Sequence, residues 1–185
     1  KKYSPTDPDA TMATSNRGYQ LEPTYKQHTA VEDLSGIIVD VAVTTGEASE
    51  GKLLLDQLDR IEALAAARVE TVTADAAYAH AGNYGGLEER DTDAVIPPQR
   101  QARRKRGGQR IPSRRFKYDA QKGTLTCPAG KALRRLSRNR EDTGYWYRAL
   151  PCDCRACPMR RRCLSPKAAA RSIMIHDAYP ALLRA

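Results

Sequence analysis

The chain has 185 residues, of which 41% are hydrophobic, and a net charge of +9; the length suits one domain or one domain with a small appendage, and the composition excludes a wholly disordered chain. No run of about 18 apolar residues exists, which excludes a membrane-spanning helix, and Lys1-Lys2-Tyr3-Ser4-Pro5 has no apolar stretch of the kind a signal peptide needs. The charge is unevenly divided: residues 1–98 carry 8 basic and 17 acidic side chains, whereas residues 99–175 carry 22 basic and 4 acidic. That asymmetry reads as a polyanion-binding footprint in the second half, or as a solvated basic surface.

Residues 1–18 are rich in turn formers and read as an extended arm. Asp7-Pro8-Asp9 is a turn, since Pro biases its predecessor away from the helical region. The segment 28–32 and the β-branched run 37–44 predict an antiparallel hairpin about the turn Asp33-Leu34-Ser35-Gly36, with Ile37, Val39, Val41 and Val43 on one face. Leu54, Leu58, Ile61 and Ala65 recur at helical spacing, so a helix is expected over 50–67, capped by Ser49 and with Glu50 at its positive end. A short strand over 69–75, a helix near 83–90 and a strand at 94–96 follow. The order β-β-α-β predicts a mixed sheet with helices against it.

From Gln99 to Lys117 there are nine basic residues and no acidic ones. With Gly107-Gly108 and Pro112 in it, this stretch is expected to be a mobile basic loop, separating residues 1–98 from a Cys-containing module at 118–175; residues 176–185 read as the start of a helix. The loop's Arg103, Arg104, Lys105, Arg106, Arg110, Arg114 and Arg115 are the candidate DNA-binding residues.

Asp75 closes a short β-branched run, at the strand end where catalytic groups gather in open α/β sheets. It suits a hard cation such as Mg²⁺, or simply caps the following turn. All five cysteines lie after residue 126. Cys127 in Cys-Pro-Ala-Gly, the Cys154-x-x-Cys157 pair and Cys163 form a set of four thiolates suited to a tetrahedral structural Zn²⁺, with Cys152 spare. The same ligands suit an iron–sulfur cluster, and free structural thiols are the remaining alternative. The module is so polar that metal binding is expected to supply the folding energy a core would not. His28, His80 and His176 are scattered and read as surface or packing residues.

Thr6-Asp7-Pro8-Asp9-Ala10, Gly18-Tyr19, Ala30-Val31-Glu32, Gly36-Ile37-Ile38-Val39 and Ala74-Asp75-Ala76-Ala77-Tyr78 occur in that order. Together they resemble the middle of DDE transposases from bacterial insertion sequences, in the group with a Cys-rich insert after the second catalytic Asp. Residues 127–163, with Tyr145-Trp146-Tyr147-Arg148 as a strand, resemble that insert.

The resemblance implies an α+β fold: a partial RNase H-like mixed sheet with helices, plus a zinc-ribbon-like Cys-rich module. It implies DNA transposition by phosphodiester cleavage and strand transfer, with three acids holding Mg²⁺ or Mn²⁺. Asp75 matches the second acid, and Ala77 stands where relatives carry Gly. The first and third acids are expected before residue 1 and beyond residue 185, so that the chain is an internal fragment or a decayed copy. Double-stranded DNA is the implied partner, a homo-oligomer is compatible with the family, and the implied location is the bacterial cytoplasm at the nucleoid. The competing reading is a non-catalytic, zinc-containing nucleic-acid-binding module.

Overall fold

The structure is a computed structural model that describes residues 4–14, 21–99 and 111–185. The chain divides into two compact units, residues 1–99 and 100–185, each taken by itself below.

In the first unit, β1 (Thr11–Thr14), β2 (Leu21–Val31) and β3 (Ile38–Thr45) form an antiparallel sheet in the order β1-β2-β3. The turn between β2 and β3 is organised by Glu32, whose carboxylate accepts from the Leu34 and Ser35 N–H groups at 2.8 Å each. The Ser35 hydroxyl, and then those two N–H bonds, hold the Glu32 carboxyl below its ordinary pKa. A 3-10 turn at Glu50–Leu53 leads into α1 (Leu54–Ala65). The strand β4 (Thr71–Thr73), the helix α2 (Ala81–Glu89) and the strand β5 (Asp93–Val95) complete the unit, with β4 and β5 paired in parallel.

The α+β class expected from the sequence holds, but the strands do not join into one mixed sheet. Among the described residues, β4 and β5 form a two-stranded sheet separate from β1-β2-β3. The hairpin also presents the opposite face from the one its apolar pattern suggests. Val41 and Val43 are 50% and 65% exposed. The side chains that turn inward are polar: Asp40 of β3 accepts from Gln57 Nε2 at 2.9 Å and from both Nε and Nη2 of Arg60 at 3.0 and 2.7 Å. Gln57 also reaches the His28 carbonyl, at 3.3 Å. Helix α1 is thus tied to the hairpin by a hydrogen-bonded acid, and the Arg60 guanidinium keeps the Asp40 carboxyl below its ordinary pKa. Ser49 stands at the predicted cap position but makes no capping bond; Glu50 instead pairs with Lys26 at 3.3 Å. Arg90, beyond α2, bridges Asp59 and Glu62 of α1.

The second unit is an antiparallel five-stranded sheet in the order β10-β9-β8-β7-β6. Its strands are β6 (Lys117–Asp119), β7 (Thr124–Thr126), β8 (Ala132–Arg138), β9 (Gly144–Arg148) and β10 (Ser172–His176). Between β9 and β10 run the short helices α3 (Pro151–Arg155) and α4 (Arg160–Cys163), and α5 (Tyr179–Arg184) follows β10. The β8–β9 turn is closed by Asn139, whose Oδ1 accepts from the Thr143 and Gly144 N–H groups at 2.8 and 3.0 Å.

Two sequence expectations change here. The basic stretch 99–117 is not a loop at its end: Ile111 N–H bonds the Arg162 carbonyl at 2.9 Å, Phe116 is buried, and Lys117 opens β6. The module also has a core of its own. Phe116, Leu125, Leu133, Tyr147, Ala149, Ile173 and Ile175 form one buried cluster. Tyr118 stands edge-on to Tyr147 and Tyr179, with ring centroids 6.1 and 5.8 Å away. Strand alternation brings these residues from β7, β8, β9 and β10 to one face.

Leu125 has no exposed surface. Leu125→Ala is expected to cost about 3 kcal/mol, the usual range for a buried leucine, in urea unfolding followed through Trp146 fluorescence with chelator present. A loss below about 1 kcal/mol would mean that this cluster is not the core that folds the unit.

Candidate functional site

Asp75 lies just past β4. The Ala74 N–H donates to the Val95 carbonyl at 3.3 Å, one step beyond the parallel strand pairs, and the chain then turns. Asp75 is exposed and caps the 3-10 turn Ala76–Tyr78, its Oδ1 accepting from the Ala77 N–H at 2.7 Å. The capping role anticipated for this Asp is therefore present. It uses one carboxylate oxygen, and among the described residues Oδ2 makes no hydrogen bond. Ala77 sits without strain where relatives are expected to carry Gly, because the non-glycine residues of positive φ among those described are Ala66, Asp91 and Asp142.

The turn after Asp75 is held from behind. Asn83 is buried in α2 and donates through Nδ2 to the Gly51 and Tyr78 carbonyls at 2.8 Å each. Gly51 must be glycine for steric reasons: a Cβ there would lie 2.6 Å from His80 Nε2 and 2.8 Å from the Ala77 carbonyl. Burial, then the negative charges of Glu50 and Asp75, push the Tyr78 hydroxyl pKa up, which places Glu50 in the same neighbourhood. Neither Asn83 nor Gly51 has a sequence signal, since a lone Asn and a lone Gly carry no periodicity. Of the other early acids, Asp7 accepts from the Tyr25 hydroxyl at 2.7 Å and its carbonyl from the Ala10 N–H, the turn expected there.

In the second unit, Cys127, Cys154, Cys157 and Cys163 line one cavity of about 30 Å³, with Phe116, Lys131 and Arg171 also on its wall. Cys152 is exposed and is not part of that wall. The Cys127 turn is tight: the Gly130 N–H returns to the Cys127 carbonyl at 2.8 Å, Gly130 takes φ +76°, and the Lys131 N–H donates to Cys127 Sγ at 3.4 Å. Burial raises the Cys163 thiol pKa; Arg171 lowers it, and the other three thiols raise it. Arg171 also holds the Ile111 carbonyl at 3.2 Å, and Arg160 the Ala168 carbonyl at 3.1 Å.

The four thiols share a cavity without being grouped around a metal position. Among the described residues, no group of three or more His, Cys, Asp or Glu is arranged to hold a metal ion. All five thiols are free, and thiols that share a cavity as neutral groups have no reason to converge, whereas thiolates converge only on a cation. The zinc-ribbon description is accordingly reduced to a five-stranded sheet whose four cysteines share a cavity.

Of the candidate DNA-binding residues, Arg114 and Arg115 are exposed in the 3-10 turn Ser113–Arg115. Arg103, Arg104, Lys105, Arg106 and Arg110 lie outside the described residues. No helix among the described residues is long and apolar enough to cross a membrane.

The family of the transposase DDE domain matches residues 2–151. The chain belongs to that family. The match runs through the whole first unit and into the second as far as the start of α3, so it includes Asp75 and Cys127 and stops short of Cys152, Cys154, Cys157 and Cys163. No curated protein and no solved structure matches the chain significantly.

Proposed function

We propose that this chain is part of a DNA transposase and that Asp75 is one of the carboxylates that hold Mg²⁺ or Mn²⁺ for phosphodiester cleavage and strand transfer. One observation carries the reading: within the matched DDE domain, Asp75 stands exposed at the carboxyl end of a parallel strand, on a turn fixed by Asn83 and crowded by Gly51. A metal of this kind takes about six oxygen ligands and keeps several of them as water. Asp75 supplies one carboxylate, and in this reading two further acids complete the set.

The order of antiparallel hairpin, helix and parallel strands agrees with an RNase H-like sheet. Val95 of the parallel pair is 56% exposed, and because parallel sheets are ordinarily covered on both faces, that exposure supports a further layer packing on β4 and β5. The partner in this reading is double-stranded DNA, contacted in part by the basic stretch from Arg103 to Arg115, and the location that goes with it is the bacterial cytoplasm at the nucleoid.

Alone, the 185-residue chain is expected not to cut or join DNA with either metal. Joined in frame to segments that supply the two other acids, it is expected to do both, and Asp75→Ala to reduce the rate by at least about a thousandfold, as loss of an electrostatic anchor at the reacting centre does. Unchanged strand transfer in Asp75→Ala would remove Asp75 from the site. An extended protein that binds DNA without cutting it would favour the non-catalytic module or a decayed copy.

The Cys cavity supports a second reading, of a structural Zn²⁺ held by Cys127, Cys154, Cys157 and Cys163. Four thiols already share one wall, the Cys127 turn donates an N–H to sulfur, and Zn²⁺ needs only that they close to about 2.3 Å as thiolates. Zinc there would reinforce a unit that already has a core. Protein purified with zinc is expected to carry about one ion per chain, Cys127→Ser to carry none and Cys152→Ser to keep it. Zinc lost in Cys152→Ser and kept in Cys127→Ser would contradict this ligand set.

A further inference from the structure

The five-stranded sheet has a second face, away from its core. Alternation along the strands puts Leu133, Tyr147, Ile173 and Ile175 inside, and Arg134, Trp146, Arg148, Ser172 and Met174 outside. The register makes Arg134 the direct partner of Arg148, Arg148 the partner of Ser172, and Trp146 the partner of Met174. Trp146 is 41% exposed.

Two arginines facing each other across a strand pair are unfavourable, because like charges directly opposite repel. Neither is relieved within the protein: among the described residues, Arg134 and Arg148 make no ion pair and no side-chain hydrogen bond. The other two arginines of β8 are engaged. Arg138 is held by Asp142 and by Asp177 at 2.6 Å, and both Arg135 and Arg138 lie over the Tyr145 ring, 4.8 and 4.7 Å from its centroid. A bare arginine pair beside an exposed indole therefore calls for a ligand that is anionic and has a flat π-face.

We propose that this outer face binds single-stranded DNA, with Arg134 and Arg148 on phosphates and a base stacked on Trp146. The inference rests on the transposase reading only in choosing DNA among polyanions. The exposed indole presents a stacking platform, and stacking needs an unpaired base, so a single strand fits this face better than an intact duplex.

Trp146 is the only tryptophan in the chain, so its emission reports on this face alone. Titrating the whole chain with a fifteen-residue oligo(dT) is expected to quench Trp146 saturably, and a blunt duplex of equal length to quench it less. By anisotropy of a labelled oligo(dT), Trp146→Ala is expected to weaken binding about tenfold. The double variant Arg134→Ala, Arg148→Ala is expected to flatten the log–log salt slope by about 1.4, or about 0.7 for each phosphate that is no longer neutralised. Arg134→Lys with Arg148→Lys should keep the slope. All these side chains are exposed, and an unchanged circular dichroism spectrum checks the fold. Oligo(dT) binding with unaltered Trp146 emission, double-variant binding identical to the parent, or no binding at all would overturn the proposal. A Trp146 emission shift that follows protein concentration without DNA would overturn it in favour of a second copy on this face. None of these results touches the strand-transfer test of Asp75, so the two readings fail separately.

Discussion

The parallel pairing of β4 with β5 is the constraint on which the candidate site depends. Its strand pairs run from Thr71 with Asp93 to Thr73 with Val95, and the Ala74 N–H adds one bond to the Val95 carbonyl before the chain turns. Asp75 is the first residue free of the ladder, and it at once caps the turn that follows. Everything packed behind that turn keeps it in place. Asn83 donates to the Gly51 and Tyr78 carbonyls, the latter also accepting from the His80 N–H at 2.8 Å, and so ties the turn after Asp75 to the 3-10 turn that precedes α1. Gly51 lets the preceding 3-10 turn approach His80 and Ala77 where no side chain fits. A rigid backbone that delivers one exposed carboxylate is what a metal-dependent site requires of each of its ligands.

The second unit separates two jobs by the two faces of one sheet. The inner face closes on Leu125 and Tyr147 and gives the unit a core of its own. The cysteines sit at the end of that core, where Cys127, Cys154 and Cys163 pack against it. The outer face keeps charge that no described residue neutralises. The facing arginines break a local rule of sheet design there, and such breaks concentrate where a protein meets a ligand.

Much of this fold is legible in the sequence, for physical reasons that also explain the failures. The β-branched run 37–44 and the leucines at 54 and 58 carry their periods openly, and β3 and α1 lie where those periods put them. Periodicity does not say which face is covered. The hairpin docks on α1 through Asp40, Gln57 and Arg60, and polar residues that meet at such a contact read as surface in a sequence. Phe116 is hidden because eight basic residues precede it in the run from Gln99. The core of the second unit escapes notice because its members are spread over some sixty residues and meet only when four strands pair. Asp75 is visible both as a strand-terminal acid and through its motif, whereas Asn83 and Gly51, which hold it, have no local pattern to betray them.

The most direct measurement of the central claim, that Asp75 ligates the catalytic metal, is a metal-specificity switch. Asp75→Cys is made in a protein that joins this chain to the segments carrying the other acids, and strand transfer is assayed with Mg²⁺ and with Mn²⁺. A thiolate is a poor ligand for Mg²⁺ and a better one for Mn²⁺. The account predicts an enzyme that is silent with Mg²⁺ and regains strand transfer with Mn²⁺. Activity that is equal with both metals, or absent with both while Asp75 in the parent supports both, would contradict direct coordination by this residue.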